Sequence, residues 1–448
     1  MACARSAFAM TVDPYVPGHG NPGFAVSRYE LDLDYRVASN RLVATARLHV
    51  TATEPLTRFS LDLAGLRVNK VMVNGRRPSR YVHRTGKLQI VLEAAVGAGT
   101  GLVVDVDYSG QPLPIVGLWG EVGWEELADG VIVAGQPDGA PSWFPCDDHP
   151  GDKASFRTTV TTDVGYTVVA NGTQTSRTAL ASRVRWVFDQ PEPTATYLAT
   201  VQIGRYEPVR MSGGPVRQRA FVPAQLAQRF RHDFGRQKEM LALFVEMFGP
   251  YPFAEYTVVV TADDLEIPLE AQGMSVFGAN HLDGRRGQER LVAHELAHQW
   301  FGNSVTVGRW QDIWLHEGFA CYAEWLWSER TGGPTASAMA RKAWWDLRGQ
   351  PQDILVGDPG PDRMFDDRIY RRGALTLHSI RTVVGDVAFF DTLRSWTRTH
   401  AHGTVSTQDF VDCAARFTAE PLHHLFDGWL FRTELPPLVS ERTSSSTT

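Results

Sequence analysis

The stretch from Leu291 to Trp300, which reads Leu-Val-Ala-His-Glu-Leu-Ala-His-Gln-Trp, constrains this chain more than any other. On a helix, His294 and His298 project from one face, one turn apart. That spacing lets both imidazoles reach one tetrahedral zinc ion. Glu295 sits beside the first histidine, where a carboxylate can take a proton from a water that the metal activates. Glu317 follows 19 residues after His298 and completes a two-histidine, one-glutamate ligand set. Three protein ligands leave one position open, the arrangement of a catalytic rather than a structural zinc. Chance alone gives the His-Glu-x-x-His pattern about 0.02 times in a chain of this composition, and about 0.001 times with a glutamate at one fixed later position. The flanks (Leu291, Val292, Leu296, Ala297, Trp300, Phe301) are apolar, so the helix is expected to be buried, and a buried His-Glu-His set without a metal is expensive. Glu324 lies seven residues after Glu317 on the same helical face, placed to accept the remaining N–H of a ligand histidine. An exposed glutamate fits that spacing equally well.

At 448 residues the chain exceeds what one hydrophobic core usually supports, so two domains are expected. A net charge of −6 argues against nucleic acid as a partner, and no apolar run approaches the length of a membrane span. The start, Met1 to Ala9, is too weakly apolar for a signal peptide. Cys3, Cys146, Cys321 and Cys413 are scattered, which indicates free thiols rather than a disulfide framework. Asn171-Gly172-Thr173 reads as a turn rather than a glycan acceptor. Together these features predict a cytoplasmic protein.

From Tyr29 the pattern has period two: Tyr29, Leu31, Leu33, Tyr35 and Val37, then Leu42, Ala44, Ala46, Leu48 and Val50 across a turn at Ser39-Asn40. Asn74-Gly75, after Val71 to Val73, signals a hairpin. The rhythm continues through Leu88, Val104, Phe156, Tyr166, Val184 and Tyr197, with no helical pattern before about residue 205. After Tyr206 the character changes. Pro223 opens a helical stretch that stops at Gly249-Pro250, Tyr256 to Val260 reads as a buried strand, and the remainder is helical. The prediction is a multidomain α+β chain. An antiparallel β-sandwich-like domain covers 11–205, a mostly helical domain with a small β-sheet covers 206–438, and a Ser/Thr-rich tail covers 439–448.

The His-Glu-x-x-His motif and the later segment Trp310 to Ala320, which carries Leu315-His316-Glu317-Gly318, resemble the aminopeptidase N family of gluzincin zinc metallopeptidases. The resemblance runs over about residues 20–435 and is most specific between 265 and 375. It implies a thermolysin-like fold for the helical domain, one zinc per chain, and peptides with a free N-terminus as substrates. The family's Gly-x-Met-Glu-Asn segment, which binds the substrate's amino group, falls on Glu270; the glutamate is kept and the glycine, methionine and asparagine are not. Its catalytic tyrosine, followed by a basic residue and a glycine, corresponds to Tyr370 in Ile369-Tyr370-Arg371-Arg372-Gly373. A substrate-binding glutamine that precedes a segment like Trp143 to Asp148 corresponds to Gln136. On this resemblance Glu295 is the general base, Tyr370 stabilises the oxyanion, and Glu270 with Gln136 holds the α-ammonium. The family's large C-terminal helical domain has no counterpart in the residues after Leu430.

Two other readings compete. A zinc endopeptidase or other hydrolase on the same site would cleave N-blocked peptides. A non-catalytic binding protein is expected to have lost Glu295, a zinc ligand or Tyr370, all of which are present. His149, His316 and His378 are expected to be structural or exposed, and no residue pattern fixes an oligomeric state.

Overall fold

The computed structural model describes residues 12–211 and 213–439. The readings made above for Cys3, for the first residues and for positions 440–448 lie outside the described residues. The chain divides into two compact units. One comprises the residues up to 210 with 219–225 and 253–279; the other comprises 211–218, 226–252 and the residues from 280 onward.

The first unit is built on alternation. Phe24–Arg36 and Arg41–Ala52 bury Tyr29, Leu31, Leu33, Tyr35, Leu42, Ala44, Ala46 and Leu48 on one face and pair antiparallel, Leu31 opposite Ala46. They belong to a seven-stranded sheet ordered Thr173–Leu180, Arg183–Ala195, Lys153–Asp163, Phe24–Arg36, Arg41–Ala52, Gly101–Gly110, Arg67–Val73. One pair departs from the antiparallel expectation: Phe24–Arg36 runs parallel to Lys153–Asp163, with Leu31 beside Thr158. No hairpin can join those two strands, because more than a hundred residues of the unit intervene between them. A five-stranded sheet (from Thr167–Ala170 to Ile115–Gly117) and a three-stranded one (Leu56–Asp62, Lys87–Val96, Arg80–Arg84) complete the layers. Between them lies an aromatic core that includes Tyr29, Trp124, Trp143, Phe144 and Phe156.

The Asn74-Gly75 turn forms with both residues left-handed, at φ 50 and 75. A single antiparallel bridge, Val73 to Arg76, closes it; the pairing goes no further, and the chain then leaves for the three-stranded sheet. Asn171 is buried; its side chain donates to Leu198 O and Gln272 O and accepts from Thr200 N, so it is a packed turn residue. A last sheet, ordered Glu207–Arg210, Arg217–Val222, Glu255–Val260, Met274–Phe277, Leu269–Ala271, also groups with this unit. Glu255–Val260 is buried at every position, as its unbroken apolar run predicts.

The second unit is helical. Gln237–Phe248 ends at Gly249, whose φ of 98 suits glycine and stops the helix. Glu289–Ala297, Trp314–Arg330, Ala336–Arg348 and Asp367–Val384 pack together, followed by Asp386–Thr399, Thr407–Ala415 and His423–Leu430. Among the described residues no helix is long and apolar enough to cross a membrane.

Candidate metal centre and active site

The helix Glu289–Ala297 is buried from Val292 to Ala297, and His298 caps its end. Trp300, just beyond, donates from its indole to Gly249 O and Pro250 O, each at 3.1 Å, which fixes where the helix stops. The helix Trp314–Arg330 is set at its start by two contacts. The Trp314 indole donates to Thr407 Oγ1 at 2.8 Å, and Val307 N donates to His316 Nε2 at 2.9 Å. Glu317 therefore stands in the first turn, where the positive end of the helix dipole favours a carboxylate.

The two helices bring His294, His298 and Glu317 together. Glu317 Oε2 lies 3.4 Å from His294 Nε2 and 3.5 Å from His298 Nε2, and all three groups are buried. Three donors, each about 2.0–2.1 Å from a tetrahedral zinc, stand roughly 3.3–3.4 Å apart, so the set has the size that zinc requires. The tautomers fit as well. His298 Nδ1 faces Phe301 O at 3.0 Å, and a carbonyl can only accept, so Nδ1 carries the proton and Nε2 is left with its lone pair. His294 Nδ1 faces Glu324 Oε1 at 2.8 Å, which places Glu324 behind the ligand as its spacing allows. Burial opposes a charge on His294, but Glu317 and Glu324 outweigh it and hold its pKa well above the usual value. Burial pushes the Glu317 pKa upward, yet the imidazoles of His298 and His294 hold it below the carboxylate range. A bound cation takes the place of the protons in such a box.

Glu295 is 4% exposed, and the Tyr370 ring lies nearly parallel to that of His294, with centroids 6.0 Å apart and planes at 20°. Tyr370 sits in the first turn of Asp367–Val384, capped by Asp366, whose side chain accepts from Arg368 N. The other histidines are structural: His316 as described, His378 against the Tyr322 hydroxyl at 3.2 Å, and His149 accepting from Gly151 N at 3.0 Å.

Gln136 and Glu270 belong to the first unit. Glu270 is half-buried on the edge strand Leu269–Ala271, opposite Ser275; the strand forms although three residues of the family segment are replaced. The Gln136 Nε2 is buried and has no acceptor within reach among the described residues. Their near neighbours in the chain, Gly135 and Gln272, both meet the turn Thr196–Leu198. A β-carbon on Gly135 would lie 2.5 Å from Tyr197 O, and Gln272 N donates to Leu198 O. That turn is anchored by Asp148, which accepts from Thr196 Oγ1 at 2.7 Å and pairs with His19 Nδ1 at 2.8 Å. The neighbouring Asp62 accepts from Gly20 N, Asn21 Nδ2 and Asp148 N, and pairs with Lys87.

The Peptidase family M1 domain matches residues 232–429, and the Peptidase M1 N-terminal domain matches 25–198. A solved M1 zinc metallopeptidase from Deinococcus radiodurans shares 32% sequence identity over 95% of this chain and 98% of its own, with a TM-score of 0.86. The chain belongs to peptidase family M1. A mutant of the Deinococcus enzyme, solved with a Tyr-Ser-Ala substrate, superposes with a TM-score of 0.87 at 32% identity, covering the same shares of both chains. The leucyl aminopeptidase of Saccharolobus solfataricus is 25% identical over 92% of this chain and 54% of its own length. The chain spans about half the length of the curated relatives it matches. Membership in this family makes zinc the metal that His294, His298 and Glu317 fit.

Two glycines of the sequence motifs have a packing role that the motifs do not state. A β-carbon on Gly318 would lie 2.8 Å from Gly373 Cα, and one on Gly373 would lie 2.8 Å from Gly318 Cα. The helices carrying Glu317 and Tyr370 thus cross backbone on backbone, beside both residues. The available signal was a glycine inside each helical pattern, which calls for a packing reason.

Proposed function

We propose that this chain is a zinc-dependent aminopeptidase that removes residues from the N-terminus of peptides. The observation that carries the reading is the pair of imidazoles whose Nδ1 atoms are tied down while both Nε2 atoms meet Glu317. Family membership and the names of the relatives support the same class. Zinc held by His294, His298 and Glu317 supplies a Lewis acid that polarises a carbonyl and acidifies water. Glu295 is the general base: it takes a proton from the attacking water and delivers it to the leaving amine. Tyr370 donates its phenolic hydrogen to the carbonyl oxygen as charge develops there. Glu270, helped by Gln136, takes the α-ammonium and so selects the first peptide bond.

The test is a cycle of two enzymes against two substrates. Losing one partner of a charge-assisted pair removes about 1.5–3 kcal/mol, roughly 10- to 100-fold in kcat/KM. Glu270→Ala should lose that much on a peptide with a free N-terminus. The parent should barely cleave the N-acetylated peptide, and the two losses should not add. Parent cleavage of the acetylated peptide at a rate near that of the free one would point instead to an endopeptidase.

A further inference from the structure

Tyr370 faces His294 from the first turn of its helix, the end at which backbone N–H groups lack intrahelical partners. Two residues on, at about 100° per residue, Arg372 leaves the helix on the opposite side. It is 2% exposed, and among the described residues no carboxylate pairs with it. Its two terminal nitrogens are held by main-chain carbonyls instead, while Nε has no acceptor within reach among the described residues. Nη1 donates to Thr433 O at 2.8 Å, and Nη2 donates to Gly428 O at 3.2 Å, to Glu434 O at 2.9 Å and to Arg432 O. Burial alone lowers its pKa to about 10, so it stays charged at neutral pH.

The acceptors lie close together in the chain. One, Gly428 O, lies in the last turn of His423–Leu430, where carbonyls lack intrahelical donors and carry the negative end of the helix dipole; the other three belong to the chain just beyond that helix. The chain after this helix therefore folds around one buried cation. Two further bonds tie the same segment down: Trp344 Nε1 donates to Pro436 O at 2.7 Å, and Gly357 N donates to Leu430 O at 3.0 Å.

We propose that the C-terminal segment 428–436, gripped by Arg372, is a positioning element that holds the first turn of the Tyr370 helix from behind. Arg372 touches no substrate in this reading; it acts through Tyr370. The proposal rests on the role given to Tyr370 under Proposed function. Releasing the grip lets the end of the helix rock, and a displacement of about 1 Å at a reacting group is enough to lose roughly 10²-fold in rate.

The experiment introduces Arg372→Met and Arg372→Lys into the full-length zinc enzyme and into its Tyr370→Phe variant, with kcat and KM measured on leucine 7-amido-4-methylcoumarin and zinc measured per chain. In the parent, kcat should fall about 10- to 100-fold while KM changes less than about twofold and zinc is retained. Arg372→Lys should fall less, because it keeps the charge but not the fork that spans several carbonyls. In the Tyr370→Phe background either substitution should lose less than about threefold, since the residue it positions no longer acts. Equal losses in both backgrounds, or a change confined to KM, would overturn the positioning role and leave that of Tyr370 standing. A Tyr370→Phe variant as active as the parent would overturn both. If Arg372→Met does not fold, the lysine variant carries the same cycle.

Discussion

Gly373→Ala asks whether Glu317 and Tyr370 are held in register by the closest approach of their helices. The added carbon would stand 2.8 Å from Gly318 Cα and 3.6 Å from Cε3 of Trp314. Carbons in contact sit roughly 3.5–4.0 Å apart, so the two backbones must separate by about 1 Å. The nearest atom is main chain and cannot swing aside. Two effects oppose each other. Replacing glycine by alanine inside a helix stabilises by about 0.8–1 kcal/mol. Overpacking destabilises by about 1–3 kcal/mol, and backbone against backbone lies at the upper end of that range. The net expectation is a loss of about 1–2 kcal/mol, or a fall in Tm of roughly 2–8 °C for a unit of this size. Catalysis should suffer more. Moving Tyr370 by about 1 Å relative to Glu317 should lower kcat by roughly 10²-fold. Zinc should remain, because its ligands lie on the two helices that the substitution does not drive apart. Thermal melts, zinc content and kcat on leucine 7-amido-4-methylcoumarin read all three, and Gly318→Ala, alone and combined, should give losses that do not add. A raised Tm with unchanged kcat, as for an ordinary helix glycine, would refute the reasoning.

Glu317→Ala should lose most of the bound zinc, whereas Glu295→Gln should keep it and lose kcat, because an amide cannot act as the base; metal analysis beside kinetics separates the two, and full zinc in Glu317→Ala removes that residue from the ligand set. The remaining prediction concerns pH. Burial opposes a charge on His19, but the hydrogen bond and charge of Asp148, with Asp62 and Asp138, raise its pKa from 6.5 to about 9. A raised histidine contributes its stability in full below about pH 6.5 and loses it as the pH climbs through about 9, at most about 3 kcal/mol in all. The Tm deficit of His19→Gln should therefore be largest near pH 6 and shrink by about pH 9.5; a deficit that does not change with pH contradicts the pairing.

How much of this the sequence could show depended on how local each cause was. Strands such as Arg41–Ala52 were legible because one face is buried and the other is not, which writes a period of two into the residues. Gly130–Ala134 buries Gly130 to Val133 in succession, so no alternation announced it. The parallel partner of Phe24–Arg36 lies more than a hundred residues away, and no local pattern encodes which strand returns to which. Asn74-Gly75 shows the converse. The turn belongs to two residues and is legible there, whereas the pairing stops after one bridge because its extent is decided by the sheets on either side.

The site divides along the same line. Helical spacing puts His294 with His298 on one face and Glu317 with Glu324 on another, and the structure brings the two faces together. The group that fixes the tautomer of His298 is the Phe301 carbonyl, which every residue possesses and no sequence can mark. Gly318 and Gly373 stood inside both motifs, but a glycine in a helix signals only that a side chain is unwelcome; which backbone excludes it appears once the helices cross. Arg372 is the extreme case. Beside Arg371, its side chain gives no hint that one guanidinium pairs with Asp367 at the surface while its neighbour is sealed among four carbonyls. The ligands of a metal are a property of spacing, but what keeps them and the tyrosine in place is backbone. It becomes readable only when the fold shows which main-chain atoms the sequence has left without partners.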